Sequence, residues 1–268
     1  MLIADAQVHI WNKVVPGGKP HRPEPFGADE LLALMDGAGV DRVVLVPPSW
    51  NDDGNGLVIQ AAQKHPDRFA AMGLISLTDP VSRELVPTWK ATPGLVGIRL
   101  PLHTERLAAP LKDGSAGWFW PAAEAAGLPL MIYAPGFLPL ISEIAREHPK
   151  LRIVIDHLGI PLPEHGLRVD PHVDEALKLA SLDNVAVKVS SLPLYSNAPY
   201  PFEDVHVHAC RALGAFGPSR TFWGTDLSRL SCTYQEAVTM FTERMPCLSK
   251  QDQELVMGRA LREWIGWT

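Results

Sequence analysis

Eight short runs rich in Val, Ile, Leu and Phe punctuate the chain, and their spacing restricts the available folds more than any other feature. They occupy residues 3–10, 42–46, 69–75, 95–100, 128–133, 152–155, 185–189 and 221–223. Most are continuous apolar runs rather than alternating ones, the pattern of parallel strands covered on both faces. Helical spacing fills the intervals. Residues 29–35 open with the acidic pair Asp29 and Glu30, and residues 57–64 stop short of Pro66. Residues 122–126, 139–147 and 173–179 close or open on Gly127, Pro149 and the Asp170-Pro171 pair in the same way. Strand centres lie roughly 23 to 38 residues apart, the rhythm of βα units. Eight such units predict one (β/α)8 TIM barrel over residues 1–268. A doubly wound sheet would carry a Gly-rich loop after its first strand, where this chain has Trp11-Asn12-Lys13.

Composition narrows the class of function. With 46% hydrophobic and 20% charged residues, 268 residues can bury a large core unaided. A net charge of −6 offers no basic surface to a nucleic-acid backbone. The most apolar stretch, residues 128–141, is too short to span a bilayer and holds three prolines and a glycine, so no membrane role is expected. The amino terminus lacks a basic region followed by a long apolar run, which predicts a cytoplasmic protein. Cys210, Cys232 and Cys247 are odd in number, far apart and free of any Cys-x-x-Cys pair, which predicts no disulfide framework, no cysteine zinc site and a reducing compartment. The 25 prolines and 21 glycines are scattered, and several follow predicted strands: Pro47-Pro48, Pro101, Pro135-Gly136, Gly159 with Pro161. They would stiffen the loops at the carboxyl ends of the strands, where TIM barrels do their chemistry.

Several strands end in groups able to bind or ionise. The first ends Asp5-Ala6-Gln7-Val8-His9, with Gln7 and His9 on one face by alternation. The fourth carries Gly97-Ile98-Arg99 and the fifth ends at Tyr133. The sixth runs into Asp156-His157-Leu158-Gly159, the seventh holds Lys188 and Ser190, and the eighth gives Gly224-Thr225-Asp226.

This ordered set resembles the amidohydrolase superfamily, in its amidohydrolase-2 branch of sugar lactonases, pyrone dicarboxylate lactonase and aromatic-acid decarboxylases. The resemblance runs the whole chain and implies a distorted barrel of the metallo-dependent hydrolase type, with its site at the strand ends. It implies ligands from a His-x-His pair on strand one, from strands four to six, and from an aspartate on strand eight. Here His9, His157 and Asp226 match, whereas Gln7 stands at the first histidine of the pair, Arg99 at a bridging lysine or glutamate and Tyr133 at a frequent histidine. A carboxamide is a poor zinc ligand and a guanidinium is none, which excludes a binuclear centre. Two states stay open: no metal, or one divalent ion (zinc or manganese) on His9, His157 and Asp226.

On this resemblance the chain is expected to be a hydrolase that opens a lactone or related cyclic ester of a small anionic molecule. Asp226 would be the general base, its alternative being a helix cap. His157 would donate a hydrogen bond or proton to the developing oxyanion or leaving oxygen, and His9 would orient water or substrate. Arg99 would clamp the substrate's anionic group or, alternatively, pair with an acid of the mouth. Gln7, Tyr133 and Arg229 would contact substrate, with Trp50, Tyr195 and Tyr200 as further wall candidates. The alternatives are non-oxidative decarboxylation of an aromatic or unsaturated acid, or a degenerate barrel that only binds. The His206-Val207-His208 repeat falls on a predicted helix, where positions two apart diverge, so it predicts no metal site. Gly17-Gly18 lies in a loop at residues 11–26, with His21 and Arg22, that either covers the site or is solvated. Trp264 and Trp267 are expected to anchor a last helix in the core. No sequence feature reports the oligomeric state.

Overall fold

The computed structural model describes residues 1–14, 24–50, 54–162, 168–230 and 232–268. Gly17, Gly18, His21 and Arg22 lie outside these residues. Eight parallel strands pair in sequence order: β1 Ala4–Val8, β2 Arg42–Leu45, β3 Phe69–Leu74, β4 Leu95–Pro101, β5 Leu130–Tyr133, β6 Ile153–Ile155, β7 Val185–Ser190 and β8 Thr221–Gly224. Each sequence run became a strand. The connections carry α1 Ala28–Ala38, α2 Gly56–Lys64, α3 Ser82–Leu85, α4 Glu105–Lys112, α5 Phe119–Ala125, α6 Leu138–Glu147, α7 Asp170–Leu177 and α8 Glu203–Phe216. After β8 follow α9 Tyr234–Thr239, α10 Lys250–Glu254 and α11 Ala260–Ile265. This is a (β/α)8 barrel, nearly closed. The sequence reading missed α4, which carries Pro110 within it and is started instead by the Thr104 hydroxyl accepting from Leu107 N–H.

The barrel interior changes character along each strand. At the amino ends, Ala4, Ala6, Val44, Ala70, Met72, Met131, Val154, Ala186 and Phe222 form an apolar cluster, closed from below by Leu261, Ile265 and Trp267. That bears out Trp267 as a core anchor. Two residues further on, the inward positions turn polar: Met131 gives way to Tyr133, Val154 to Asp156, Ala186 to Lys188 and then Ser190. On β1 the parity itself changes. A register shift between Asp5 and Val8 lets Gln7 and His9 follow Ala4 and Ala6 to the interior.

The same irregularity carries the seam between first and last strands. Asp226 N–H donates to Gln7 O at 2.9 Å. Asp5 Oδ1 accepts from Gln7 N–H at 3.0 Å and Thr225 N–H at 2.9 Å; Oδ2 accepts from the Thr225 hydroxyl and from Tyr234 OH at 2.9 Å. A wholly buried carboxylate thus ties β1, the end of β8 and the start of α9. Gly224 is needed here: a Cβ would lie 3.1 Å from Ala6 Cβ and 3.3 Å from Asp5 Oδ1.

The cysteine expectation is corrected. Cys210 on α8 and Cys247 form a disulfide, Cα atoms 5.6 Å apart, and Cys232 is a thiol. An odd count guarantees one leftover thiol but does not stop a fold from joining a distant pair, so the reducing compartment loses its support. No helix among the described residues is long and apolar enough to cross a membrane.

Burial pushes the Asp5 carboxyl up from 3.8 to about 6 in spite of its four donors. The folded state therefore holds this proton more tightly than the unfolded chain. Asp5 contributes most below pH 4, and its contribution is lost as pH rises through about 6. Tyr234→Phe deletes a donor to the ionised form and should cost about 1–3 kcal/mol, more at pH 7.5 than at pH 4.5, as read by denaturant unfolding at both pH values.

Candidate active site

The polar strand ends converge on one pocket at the carboxyl face, lined by Gln7, His9, Pro48, Ser49, Trp50, Arg99, His103, Tyr133, His157, Leu162, Asp226 and Arg229. Every substrate-contact and catalytic candidate expected from the sequence, from Gln7 to Arg229, is in it, and so is Trp50. Tyr195 and Tyr200 are not among the lining residues: their hydroxyls donate to Pro161 O at 3.1 Å and Thr239 Oγ1 at 2.9 Å. The His-x-His decoy is set aside as expected, with His206 bonded to Pro201 O at 2.8 Å and His208 lying 3.7 Å from Asp170.

Three of the side chains are aimed by unusual backbone. His157, one residue beyond β6 and Asp156, has φ 53° and ψ 35°, and Leu158 and Gly159 continue in the left-handed region. Ser191 after β7 (φ 61°) and Asp226 after β8 (φ 55°) share it. Such residues cost on the order of 1 kcal/mol or more each and persist only where their surroundings enforce them. Gly159 has φ 67°, where side chains are strained, and a Cβ there would fall 2.6 Å from Leu138 Cδ1, which would have to move. Asp226 precedes the short turn Leu227–Arg229 without capping it, which removes the helix-cap alternative.

Two clusters of charge meet in the pocket. In the deeper one, Asp156 is fully buried between two cations: Lys188 Nζ lies 2.8 Å from Oδ1 and Arg99 Nε 3.1 Å from Oδ2. Burial opposes the Asp156 charge, but Lys188 and Arg99 outweigh it and hold the carboxyl below its ordinary value. Arg99 therefore does make the ion pair weighed for it, with Asp156, through Nε, while its guanidinium lies 5.7 Å over the Tyr133 ring and borders the pocket. In the outer cluster, Asp226 Oδ2 is 2.8 Å from Arg229 Nε, and Oδ1 is 3.2 Å from His9 Nε2. Burial again opposes the charge, and His9 and Arg229 hold Asp226 well below 3.8. Burial lowers His157 and His103 to about 4 and raises Tyr133 to about 12, so all three are neutral at pH 7.

Gln7 joins the clusters. Lys188 Nζ donates to its Oε1 at 2.9 Å, and its Nε2 lies 3.4 Å from His9 Nε2 and 3.2 Å from His157 Nε2. His9 Nδ1 donates to Val46 O at 2.7 Å, and His157 Nδ1 faces the hydroxyls of Ser190 at 2.7 Å and Ser191 at 3.1 Å. An ammonium has only protons to offer, so Gln7 turns its oxygen to Lys188 and its NH2 to the imidazoles. Zinc would need both Nε2 lone pairs within about 2.1 Å of the ion; an amide that presents hydrogen to them offers no ligand there. The residues do not fit a metal on His9, His157 and Asp226, and no described group of three or more His, Cys, Asp or Glu is placed to hold an ion.

Reasoning from sequence noted Asp156 and Lys188 as polar groups at strand ends but gave neither a role, and it missed His103. The signal for the first two was present: a lysine inside the apolar strand 185–189 demands a buried acid, and Asp156 was the one adjoining a site histidine. His103 sits one residue beyond β4 and Leu102, with no motif around it; the structure stacks it on Tyr133, centroids 5.2 Å apart.

Residues 4–262 match the model of the amidohydrolase family Amidohydro_2. The chain belongs to that family. The hydrolase class that the resemblance implied is supported by relatives named lactone hydrolases. The 4-sulfomuconolactone hydrolase of Rhizobium radiobacter is 28% identical over 237 residues, spanning 83% of this chain and 74% of that protein. The L-fucono-1,5-lactonase of Burkholderia ambifaria is 26% identical over 246 residues, 85% of this chain and 81% of that one. In fold, the chain is similar to an amidohydrolase of Burkholderia multivorans with bound zinc, at a TM-score of 0.85 and 21% identity over 99% of both chains.

A lowered His157 has a direct check. Its imidazole should stay neutral from pH 8 down to about 5, whereas a solvated histidine titrates near 6.5. Nitrogen-15 NMR of labelled protein reads this; half-protonation of His157 near pH 6.5 would contradict the burial argument.

Proposed function

We propose that the chain hydrolyses a lactone of a small anionic molecule, with water as nucleophile and Asp226 as general base. The observation that carries the reading is the state of Asp226: a buried carboxylate in the pocket lining, ionised at pH 7, with Oδ2 2.8 Å from Arg229 Nε and Oδ1 3.2 Å from His9 Nε2. A water on Oδ1 would lie between the base and any carbonyl carbon that enters. The two lactone-hydrolase relatives support the same bond type, and their sulfonated and sugar-acid names fit small polar lactones.

The steps use groups that line the pocket. Asp226 takes a proton as the water oxygen adds to the lactone carbonyl, and His9, held through Nδ1 on Val46 O, orients that water through Nε2. The carbonyl oxygen becomes an oxyanion, stabilised by the guanidinium of Arg99 or the phenol of Tyr133, both already placed and needing no reorganisation. When the tetrahedral intermediate collapses, the C–O bond to the ring oxygen breaks and the proton held by Asp226 goes to that oxygen. The product is a hydroxy acid, and one water has been consumed. Arg229 borders the same space with Nη1 unpaired among the described residues and would hold the substrate's anionic group. On this reading no metal takes part.

A panel of five- and six-membered lactones, with and without a carboxylate or sulfonate, tests the reading against carbon dioxide release from aromatic acids. Turnover should survive exhaustive chelation, with an anionic lactone preferred. Asp226→Asn should lower kcat at least about 10³-fold with a normal melting curve; an undiminished rate would remove the base. Arg229→Met should raise KM for the anionic lactone about tenfold or more, the loss of one charge-assisted contact, and alter KM for a neutral lactone much less.

A further inference from the structure

We propose that Lys188 is a positioning residue that sets the tautomer of His157 through Gln7, making His157 Nε2 a proton acceptor in the pocket. This rests on the hydrolytic reading only for its consequence in turnover; the tautomer is a property of the free protein.

The argument is one of donors and acceptors. Lys188 is wholly buried on β7; burial lowers its pKa, and Asp156 Oδ1 at 2.8 Å opposes that by favouring the ammonium. Its proton reaches Gln7 Oε1 at 2.9 Å. The amide is thereby denied the flip that its near-symmetric shape otherwise allows, and its NH2 faces His157 Nε2 at 3.2 Å. Two N–H groups cannot bond each other, so His157 Nε2 carries the lone pair and the single ring proton of the neutral imidazole sits on Nδ1. That proton has acceptors: Ser190 Oγ at 2.7 Å and Ser191 Oγ at 3.1 Å. Every contact in the chain Asp156, Lys188, Gln7, His157, Ser190 is then donor to acceptor without a clash, and reversing any one of them breaks the next.

The consequence reverses the role expected for His157 from its sequence motif. A ring with its lone pair toward the pocket cannot hand a proton to an oxyanion or to a leaving oxygen. It accepts a hydrogen bond instead, and with Asp226 Oδ2 at 3.8 Å from the same nitrogen the two acceptors flank one small volume. The four-carbon stem of Lys188 thus acts across Gln7 on a ring it does not touch.

Nitrogen-15 NMR of uniformly labelled protein near pH 7 tests this, with His157 assigned by the signals lost in His157→Asn. The expected pattern is a protonated Nδ1 and a bare Nε2; a wild-type His157 protonated at Nε2 overturns the proposal without any variant. Gln7→Glu keeps an acceptor for Lys188 but replaces the amide N–H by a second acceptor, so His157 should move its proton to Nε2. An unchanged tautomer in Gln7→Glu also overturns it. Lys188→Met frees the amide to flip and should give a mixture of both tautomers. In both variants kcat should fall at least tenfold with KM within about threefold of wild type, since the acceptor at His157 Nε2 is lost or only partly populated and the anion contacts are kept. If no lactone is turned over at all, the hydrolytic reading fails while the NMR pattern still decides the tautomer.

Discussion

A carboxylate buried between two cations holds this site together. Asp156 has no solvent contact and carries Lys188 on one oxygen and Arg99 on the other. Stripping either cation from it would leave an uncompensated charge in a low-dielectric interior, a change that costs about 3–5 kcal/mol. The three groups come from β4, β7 and the end of β6, so the pairing also fixes how these strands stand to one another at the mouth. From that point outward the geometry is determined by hydrogen-bond polarity: Lys188 orients Gln7, and Gln7 orients itself between two imidazoles. Arg99, with its Nε occupied, keeps a plane rather than a sweep of positions over Tyr133.

Most of the fold was legible because it depends on local apolarity. A run such as Val185 to Val189 needs no tertiary information to be read as a covered strand, and eight of them in a βα rhythm admit few closures. The interior positions of Gln7 and His9 were legible for a partly mistaken reason. Simple alternation puts them on one face, but it would have put Asp5 there as well; the shift in β1 register separates them, leaving Asp5 to the seam with Thr225 and Tyr234. His9, His157 and Asp226, which line the pocket, carried recognisable motifs, whereas His103, which also lines it, did not. Lys188, which acts on other side chains, carried none, since it gains its meaning only from Asp156 and from Gln7, 181 residues away in sequence. The disulfide between Cys210 and Cys247 was hidden for the same reason, its partners meeting only once α8 has packed.

The charge of the molecule and that of its pocket have opposite signs. The chain carries a net −6, but the mouth gathers Arg99, Arg229 and Lys188 against Asp156 and Asp226, with His157 and His103 neutral. One positive charge is in excess among these groups. A small anion is drawn to such a focus, while the acidic exterior repels polyanions that would compete for the guanidiniums.

His157, Ser191 and Asp226 each leave a strand through left-handed backbone. The three turns are consecutive around the barrel, after β6, β7 and β8, so one arc of the rim is wound tighter than the rest. Any thermal loosening of that arc lets these residues relax toward ordinary backbone and swings their side chains out of register together. The barrel wall, built on continuous apolar strands, has no reason to yield at the same temperature. Inactivation by heat would then precede unfolding, and it would be reversible: the pocket would lose its shape as a unit while the wall that rebuilds it stayed intact.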